Sequence, residues 1–211
     1  RWQGGKARLH TQHTLPGQLT MTSGQDDTPI TIPRIEPTSA FRTLGVYLTP
    51  SGCSKGALVI LTNITLQFAS HITGSHVTRQ EALTAYIQYL LPKIQYQPPL
   101  LSINHQQCNR LQSTILMALL PKLRINRHTA RSIIHGPEEL GALDLPHIYA
   151  TQGLGKLRLF LGHLRLQDRT ATLIHCDLAL LQLLSGMGTC ILNLQHGEFS
   201  WIESGWLTSL W

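Results

Sequence analysis

Phe41-Arg42-Thr43-Leu44-Gly45-Val46-Tyr47-Leu48, closed by Pro50-Ser51-Gly52, is where the chain changes character. Apolar and β-branched residues mark it as the best strand candidate, and the Pro-Ser-Gly run ends it. Upstream, only short strand patterns occur. Lys6 to Thr11 and Gln18 to Thr22 flank a turn signal at Leu15-Pro16-Gly17, and Ser23 to Asp27 reads as another turn. Thr28 to Pro33 alternates with period two, and its two prolines place it at a sheet edge.

Downstream of Gly52 the period becomes helical. Ala57, Leu61, Ile64, Phe68 and Ile72 recur every three or four residues. Thr78 and Glu81 have capping-box spacing, ahead of an apolar stripe of Ala82, Leu83, Tyr86, Ile87 and Leu90 that Pro92 is expected to end. A helix from Asn104 carries Cys108, Leu111, Ile115 and Leu119 as far as Pro121. Asn126 is expected to cap a short helix before Gly136-Pro137. Pro146 suits the first turn of a long helix with Tyr149, Leu157, Phe160, Leu161 and Leu164. Asp168 caps another with Leu173, Ile174, Leu178, Leu181 and Leu184, ending at Gly186. The expected fold is therefore mainly α with a small N-terminal β element: a helical bundle following a β-hairpin.

Composition narrows the function. Charged residues make up only 13% of the 211 residues, against a usual share of about 25%. Gln, His, Thr and Ser cover the surface instead. The longest unbroken apolar run is Ile115 to Leu120, against the roughly 20 residues a spanning helix needs, so no membrane partner is expected. The N-terminus has neither an initiator Met nor an apolar leader, and the chain is expected to start inside a longer protein. Four dispersed cysteines do not suggest a disulfide framework, and an intracellular, reducing compartment is expected. The formal net charge of +6 is unevenly spread. Between Pro37 and Pro137 stand nine Lys or Arg and one acid, Glu81, whereas Thr170 to Trp211 has no Lys or Arg. A basic middle suits a polyanion partner.

Catalytic patterns are sparse. Asp26-Asp27 sits in turn chemistry with no aromatic residue two positions before it. Glu138-Glu139 follows Pro137 and suits a helical first turn. His175, Cys176, Cys190 and His196 match no zinc spacing. Gly153-Leu154-Gly155 lies in a helical pattern, where small residues allow close packing, and lacks the strand and third glycine of a phosphate loop. No catalytic or metal-ligating residue is assigned. One cluster remains: Lys122, Arg124, Arg127, His128 and Arg131 fall within ten residues free of acids. Arg127 and Arg131, four apart, are expected on one helical face. That face can hold phosphates; the plain alternative is a solvated helix face.

The order of these words resembles the reverse transcriptases of non-LTR retrotransposons. Phe41 to Leu48 is similar to the family's F-x-x-L-G-V strand, part of its primer-grip hairpin. Leu120-Pro121-Lys122-Leu123-Arg124-Ile125-Asn126-Arg127 and Ala130 to Pro137 are similar to thumb segments. Gly141-Ala142-Leu143-Asp144-Leu145-Pro146 resembles Gly-Gly-Leu-x-Leu-Pro with Ala142 in place of a glycine, and Gln152-Gly153 through Arg165 resembles the following helix. The likeness runs from Phe41 to Arg165. It implies a palm-end and primer-grip-like element over residues 1–50, a thumb-like helical region over 51–165 and a C-terminal extension over 166–211.

Further implications rest on the same resemblance. Lys122, Arg124, Arg127 and Arg131 would contact the phosphates of an RNA or DNA primer–template, and Leu44, Gly45 and Val46 would form a hairpin edge near the primer 3′ end. There Gly45 would permit close backbone approach. The family's aromatic-x-Asp-Asp box has no counterpart in residues 1–40. The fingers and most of the palm would be missing partners, and the Mg²⁺ that the full-length family enzyme uses would have no cofactor site in this chain. The chain alone is expected to be inactive as a polymerase. Two other readings stay open on the residues: a stand-alone helical nucleic-acid-binding module, and a helical protein-interaction domain.

Overall fold

A computed structural model describes residues 9–10, 19–22, 29–32, 34–36, 38–194, 199, 201–202 and 205–211. Asp26-Asp27 and the Leu15-Pro16-Gly17 turn lie outside the described residues. The chain is mainly helical, with a small β element before the bundle. Strand β1 (Leu9–His10) pairs in parallel with β4 (Arg34–Ile35), and β2 (Leu19–Thr22) pairs antiparallel with β3 (Pro29–Ile32).

The stretch read as one strand is a hairpin. β5 (Phe41–Thr43) pairs antiparallel with β6 (Val46–Leu48) across Leu44-Gly45. Both turn residues are left-handed, φ 49° at Leu44 and 90° at Gly45, as a two-residue loop of the primed type requires. Leucine is a poor signal for that position, which is why the turn is hidden in the sequence.

The helices follow. α1 (Lys55–Gly74) buries Ala57, Leu61, Thr65, Phe68 and Ile72 along one face, against α4 (His105–Lys122). By length and composition α1 is also apolar enough to cross a membrane, with mean hydropathy 1.2. Its Thr, Asn and Gln interrupt every apolar run while adding no charge, so a search for unbroken runs passes over it.

α2 (Arg79–Thr84) starts with the expected capping box. Thr78 Oγ1 accepts from Glu81 N–H, and the Thr78 N–H donates to the Glu81 carboxylate at 2.7 Å. That backbone hydrogen bond, with a second from the Thr78 hydroxyl, holds the Glu81 carboxyl below its ordinary pKa. Pro92 does not end this helix. A π-helical turn over Ala85–Leu90 passes straight into α3 (Leu91–Tyr96), with the Leu91 N–H donating to the Tyr86 carbonyl five residues back. A proline lacks the N–H of the regular ladder and clashes with the carbonyl four residues before it. The widened turn absorbs both defects, and the buried column becomes Ala82, Tyr86, Leu90 and Ile94 while Ile87 turns outward.

Asn104 caps α4 with its own box, in which its Oδ1 accepts from Gln107 N–H at 2.9 Å. After the short α5 (Arg131–His135) comes α6 (Ile148–Leu166), then α7 (Arg169–Ser185). Asp168 caps α7 through Ala171 N–H, and left-handed Gly186 ends it. Pro146 precedes the α6 cap, His147, instead of entering its first turn. A polar seam joins α4 to α6. Gln112 Oε1 accepts from Ile148 N–H at 3.0 Å, Cys108 Sγ donates to Gln152 Oε1 at 2.9 Å, and Gln152 Nε2 donates to the Ile103 carbonyl at 3.0 Å. The main core runs from Val46 through α1–α4 to Ile148. A smaller one gathers Phe160, Ile174 and Leu207. Gly155 does serve close packing, since a Cβ there would stand 2.5 Å from Pro99 Cγ.

Candidate nucleic-acid interface

The basic cluster is built by the way α4 ends. Pro121 sits in its last turn, and the chain then reverses through Arg124, which is left-handed at φ 59°. Arg124 N–H donates to the Pro121 carbonyl at 3.1 Å and Ile125 N–H to the Leu120 carbonyl at 2.9 Å, the paired bonds of a Schellman ending. Ile125 packs on the main core and anchors the turn. Glycine is the residue that this left-handed position favours; an L-residue there costs roughly 1–2 kcal/mol. The structure therefore keeps an exposed arginine at a strained position.

Asn126 does not cap a helix. Its Oδ1 accepts from His128 N–H at 2.9 Å and closes a local turn, with Thr129 N–H on the Asn126 carbonyl. Asparagine makes this turn as readily as a helix cap. Helix α5 thus begins only at Arg131, and Arg127 and Arg131 are not i, i+4 neighbours on one helical face: Arg127 lies in the turn and Arg131 in the first turn of α5. Ile134, fully buried, pins α5, and Leu143 and Leu145 donate back to the carbonyls of Ile133 and Ile134.

Arg124, Arg127 and Arg131 are all exposed, and none makes an ion pair or side-chain hydrogen bond among the described residues. Lys122 differs. It is half-buried, and its Nζ donates to the Ser75 carbonyl at 2.7 Å, tying the end of α4 to the end of α1. Three free guanidinium groups on one turn and a short helix can meet a run of phosphates.

The hairpin residues separate by environment. Val46 is 1% exposed and belongs to the main core, whereas Leu44 stands at the tip, 89% exposed. The Leu44 carbonyl accepts from Tyr96 Oη at 3.0 Å, which fixes the tip to the end of α3. Gly45 is needed for its positive φ; a Cβ there would make only ordinary contact with Tyr96, at 3.5 Å. No hydrogen bond, ion pair or ring contact joins this tip to the arginine turn among the described residues.

Next to the arginine turn lies a histidine pair. The rings of His135 and His147 meet edge to face at 4.9 Å. His135 Nδ1 donates to the Leu145 carbonyl at 2.7 Å, while His147 Nδ1 accepts from Ala150 N–H and caps α6. Burial, then the neighbouring His135 and His105, lower the pKa of His147.

Glu138 and Glu139 form the first turn of a 3-10 helix, as expected of them. No group of three metal-ligating side chains occurs among the described residues, and His196 lies outside them. Lys156, absent from the sequence-based candidates, is 1% exposed. It sits in the inward column Ile148, Gln152, Lys156 and Phe160, and that spacing was its available signal. Family models, characterised proteins and solved structures yield no match to the chain.

Proposed function

We propose that this chain is the thumb and C-terminal region of a non-LTR retrotransposon reverse transcriptase, holding a primer–template duplex by its backbone. The observation that carries this reading is the trio Arg124, Arg127 and Arg131, exposed and without a carboxylate partner among the described residues. A polymerase thumb needs positive charge at phosphate spacing and no base readout. The strained arginine at the end of α4 supports it further, because a glycine would serve the turn better. The Leu44 tip, locked by Tyr96, would serve as the primer-grip edge. Catalytic carboxylates and Mg²⁺ would come with a palm and fingers carried on other residues, inside the cell and away from membrane. The isolated chain would incorporate no nucleotide.

The deciding experiment is the salt dependence of duplex binding. The triple variant Arg124→Gly, Arg127→Ala, Arg131→Ala is expected to flatten the log–log salt slope by about 0.9 per lost contact. It should weaken unrelated sequences equally. A control losing Arg79, Arg110 and Arg158 removes the same charge elsewhere. Equal losses in variant and control would leave only diffuse attraction and defeat the reading. Lys122→Ala should lower stability and change the slope less than any one of the arginines.

A second reading, a helical protein-interaction domain, is favoured by one observation: Leu173, Leu180, Leu183 and Leu184 of α7 are each more than half exposed. A chain that binds duplex no better than its control variant, and stays monodisperse only with a protein partner, would favour that reading instead.

A further inference from the structure

Lys156 has no role in the interface described above, and its surroundings are unusual for a lysine. Its side chain is buried between α4, α6 and the segment 205–211. Among the described residues it has no carboxylate partner. A lone buried ammonium is costly, so burial drives the group toward the neutral amine. Its Nζ lies 2.5 Å from Ser209 Oγ. There Ser209 Oγ accepts from the amine, while its O–H donates to the Trp206 carbonyl at 2.6 Å. The segment that carries it is well tied. Trp206 Nε1 donates to the Pro99 carbonyl at 2.7 Å, and Leu207 joins the core of Phe160 and Ile174.

The other side of Ser209 opens on a cleft of about 670 Å³. Its walls are the loop Ser51 to Lys55, the start of α4, Tyr149 and the residues from Thr208 on. Ser54 does not cap α1; its Oγ accepts from Ser102 N–H at 2.9 Å instead. The first turn of a 20-residue helix therefore has no side-chain cap and no acid, and of its residues Lys55 lines the cleft.

We propose that Ser209 and Lys156 form a nucleophile–base dyad that hydrolyses small carboxylic esters in this cleft. With Lys156 neutral, the Ser209 O–H turns from the Trp206 carbonyl to the amine lone pair, and Ser209 Oγ attacks the ester carbonyl carbon as its proton passes to Lys156. The Lys55 N–H, on the cleft wall at the start of α1, is the donor assigned to the developing oxyanion. The C–O bond of the alcohol breaks, and the alkoxide leaves with the proton from Lys156. Water then attacks the acyl-Ser209 ester, giving one proton to Lys156, which returns it to Ser209 Oγ as the acid departs. No oxidant or co-reactant beyond water is needed. This proposal does not rest on the nucleic-acid reading.

The test treats the full chain with a fluorophosphonate probe and maps the adduct by mass spectrometry, alongside p-nitrophenyl butyrate turnover. The expected result is one adduct, at Ser209, absent in Ser209→Ala and unchanged in Ser132→Ala. Lys156→Met fills the same space without a base and should slow labelling by about 100-fold or more. Should that variant fail to fold, the pH profile of the parent still decides. Burial brings Lys156 down to about 8, and labelling should rise as pH passes that value. Cys108 of α4 is the titratable group facing Lys156 among the described residues; burial pushes its thiol up to about 11, so it keeps its proton across that range. No adduct, adducts spread over several serines, a flat pH profile, or undiminished labelling of folded Lys156→Met would each overturn the proposal.

Discussion

The pair α6–α7 is richer in leucine and isoleucine than the block α1–α4 but buries fewer of them. In α1 and α4 most apolar residues line one face, with Val59, Leu66 and Met117 left exposed, and Leu61, Ile115, Leu116, Leu119 and Leu120 are all at or below 1% exposure. In α7 they lie all around the helix: Ile174 is buried, while Leu173 and Leu183 are 67% and 77% exposed. One-sided patterning lets two helices remove each other's faces from water, whereas all-round patterning leaves half of the apolar surface uncovered. The first block therefore carries the stability of the fold. The second is held at a few points: the polar seam of Gln152, the small core around Phe160, and the bonds of Trp206 and Ser209.

The most direct way to break this comparison is truncation in each half. Leu61→Ala and Ile115→Ala remove fully buried side chains and should cost about 2–5 kcal/mol each in urea denaturation. Leu183→Ala should stay within about 0.5 kcal/mol. A large cost at Leu183 would mean that α7 is packed in solution by something beyond its neighbours in the fold.

The caps sharpen the comparison at a smaller scale. Asn104 and Asp168 cap helices of similar length in the two halves. Each change to Ala should cost about 1 kcal/mol if both helices unfold with the whole. If the α6–α7 pair opens by itself, Asp168→Ala will speed hydrogen exchange only in 169–185, and Asn104→Ala will act globally. Asp168 also accepts from His163 at 2.8 Å, and its bonds, that of Ala171 N–H first, hold its carboxyl below the ordinary range. Its contribution is therefore present above the ordinary carboxylate pKa and is lost as pH falls through the depressed value.

Those caps were legible in the sequence because their chemistry is local: Thr78 with Glu81, Asn104, Asp168 and Gly186 need only their own next turn. The one-sided stripes of α1 and α4 were legible for the same reason. What escaped was decided by backbone states that the residue type disguises. Leu44 and Arg124 take left-handed conformations that a reader expects of glycine. Asn126 spends its side chain on a turn, and Pro92 is tolerated by a π-helical turn. For the arginine cluster, composition showed the charge but not its geometry: the guanidinium groups stand on a turn and a helix start, and Lys122 is tied to Ser75. Lys156 escaped because a charged residue in an apolar column is normally read as an interruption of the column.

At the junction of the halves, Arg124→Gly should raise stability by roughly 0.5–1 kcal/mol by removing the left-handed penalty. It should lower duplex affinity at the same time. Opposite signs in the two measurements would establish that the strain is kept for binding. A parallel loss of both would mean that the arginine stem supports the turn.

The smallest expected effect lies where α5 meets α6, and it tests whether the two halves separate at acid pH. His147 caps α6 as an acceptor, which requires Nδ1 to be unprotonated. Burial first, then His135 and His105, lower its pKa in the folded state below the ordinary 6.5. The unfolded chain then binds the proton more readily than the folded one. Stability from this group is complete above about pH 6.5 and declines as pH falls through that value toward the folded pKa. Protonation also turns the cap into a donor facing a donor and sets a cation against the ring of His135, 4.9 Å away. His147→Asn keeps a capping oxygen without a titrating group. Urea midpoints for parent and variant should coincide at pH 7.5, apart from a constant offset, and diverge at pH 5.5 with the parent the weaker. Hydrogen exchange should place the parent's acid-induced opening at the start of α6, with α1 and α4 still protected. If parent and variant keep the same offset at both pH values, His147 does not couple the halves, and their joint rests on Gln112, Gln152 and the packing of Gly155 and Trp206 on Pro99.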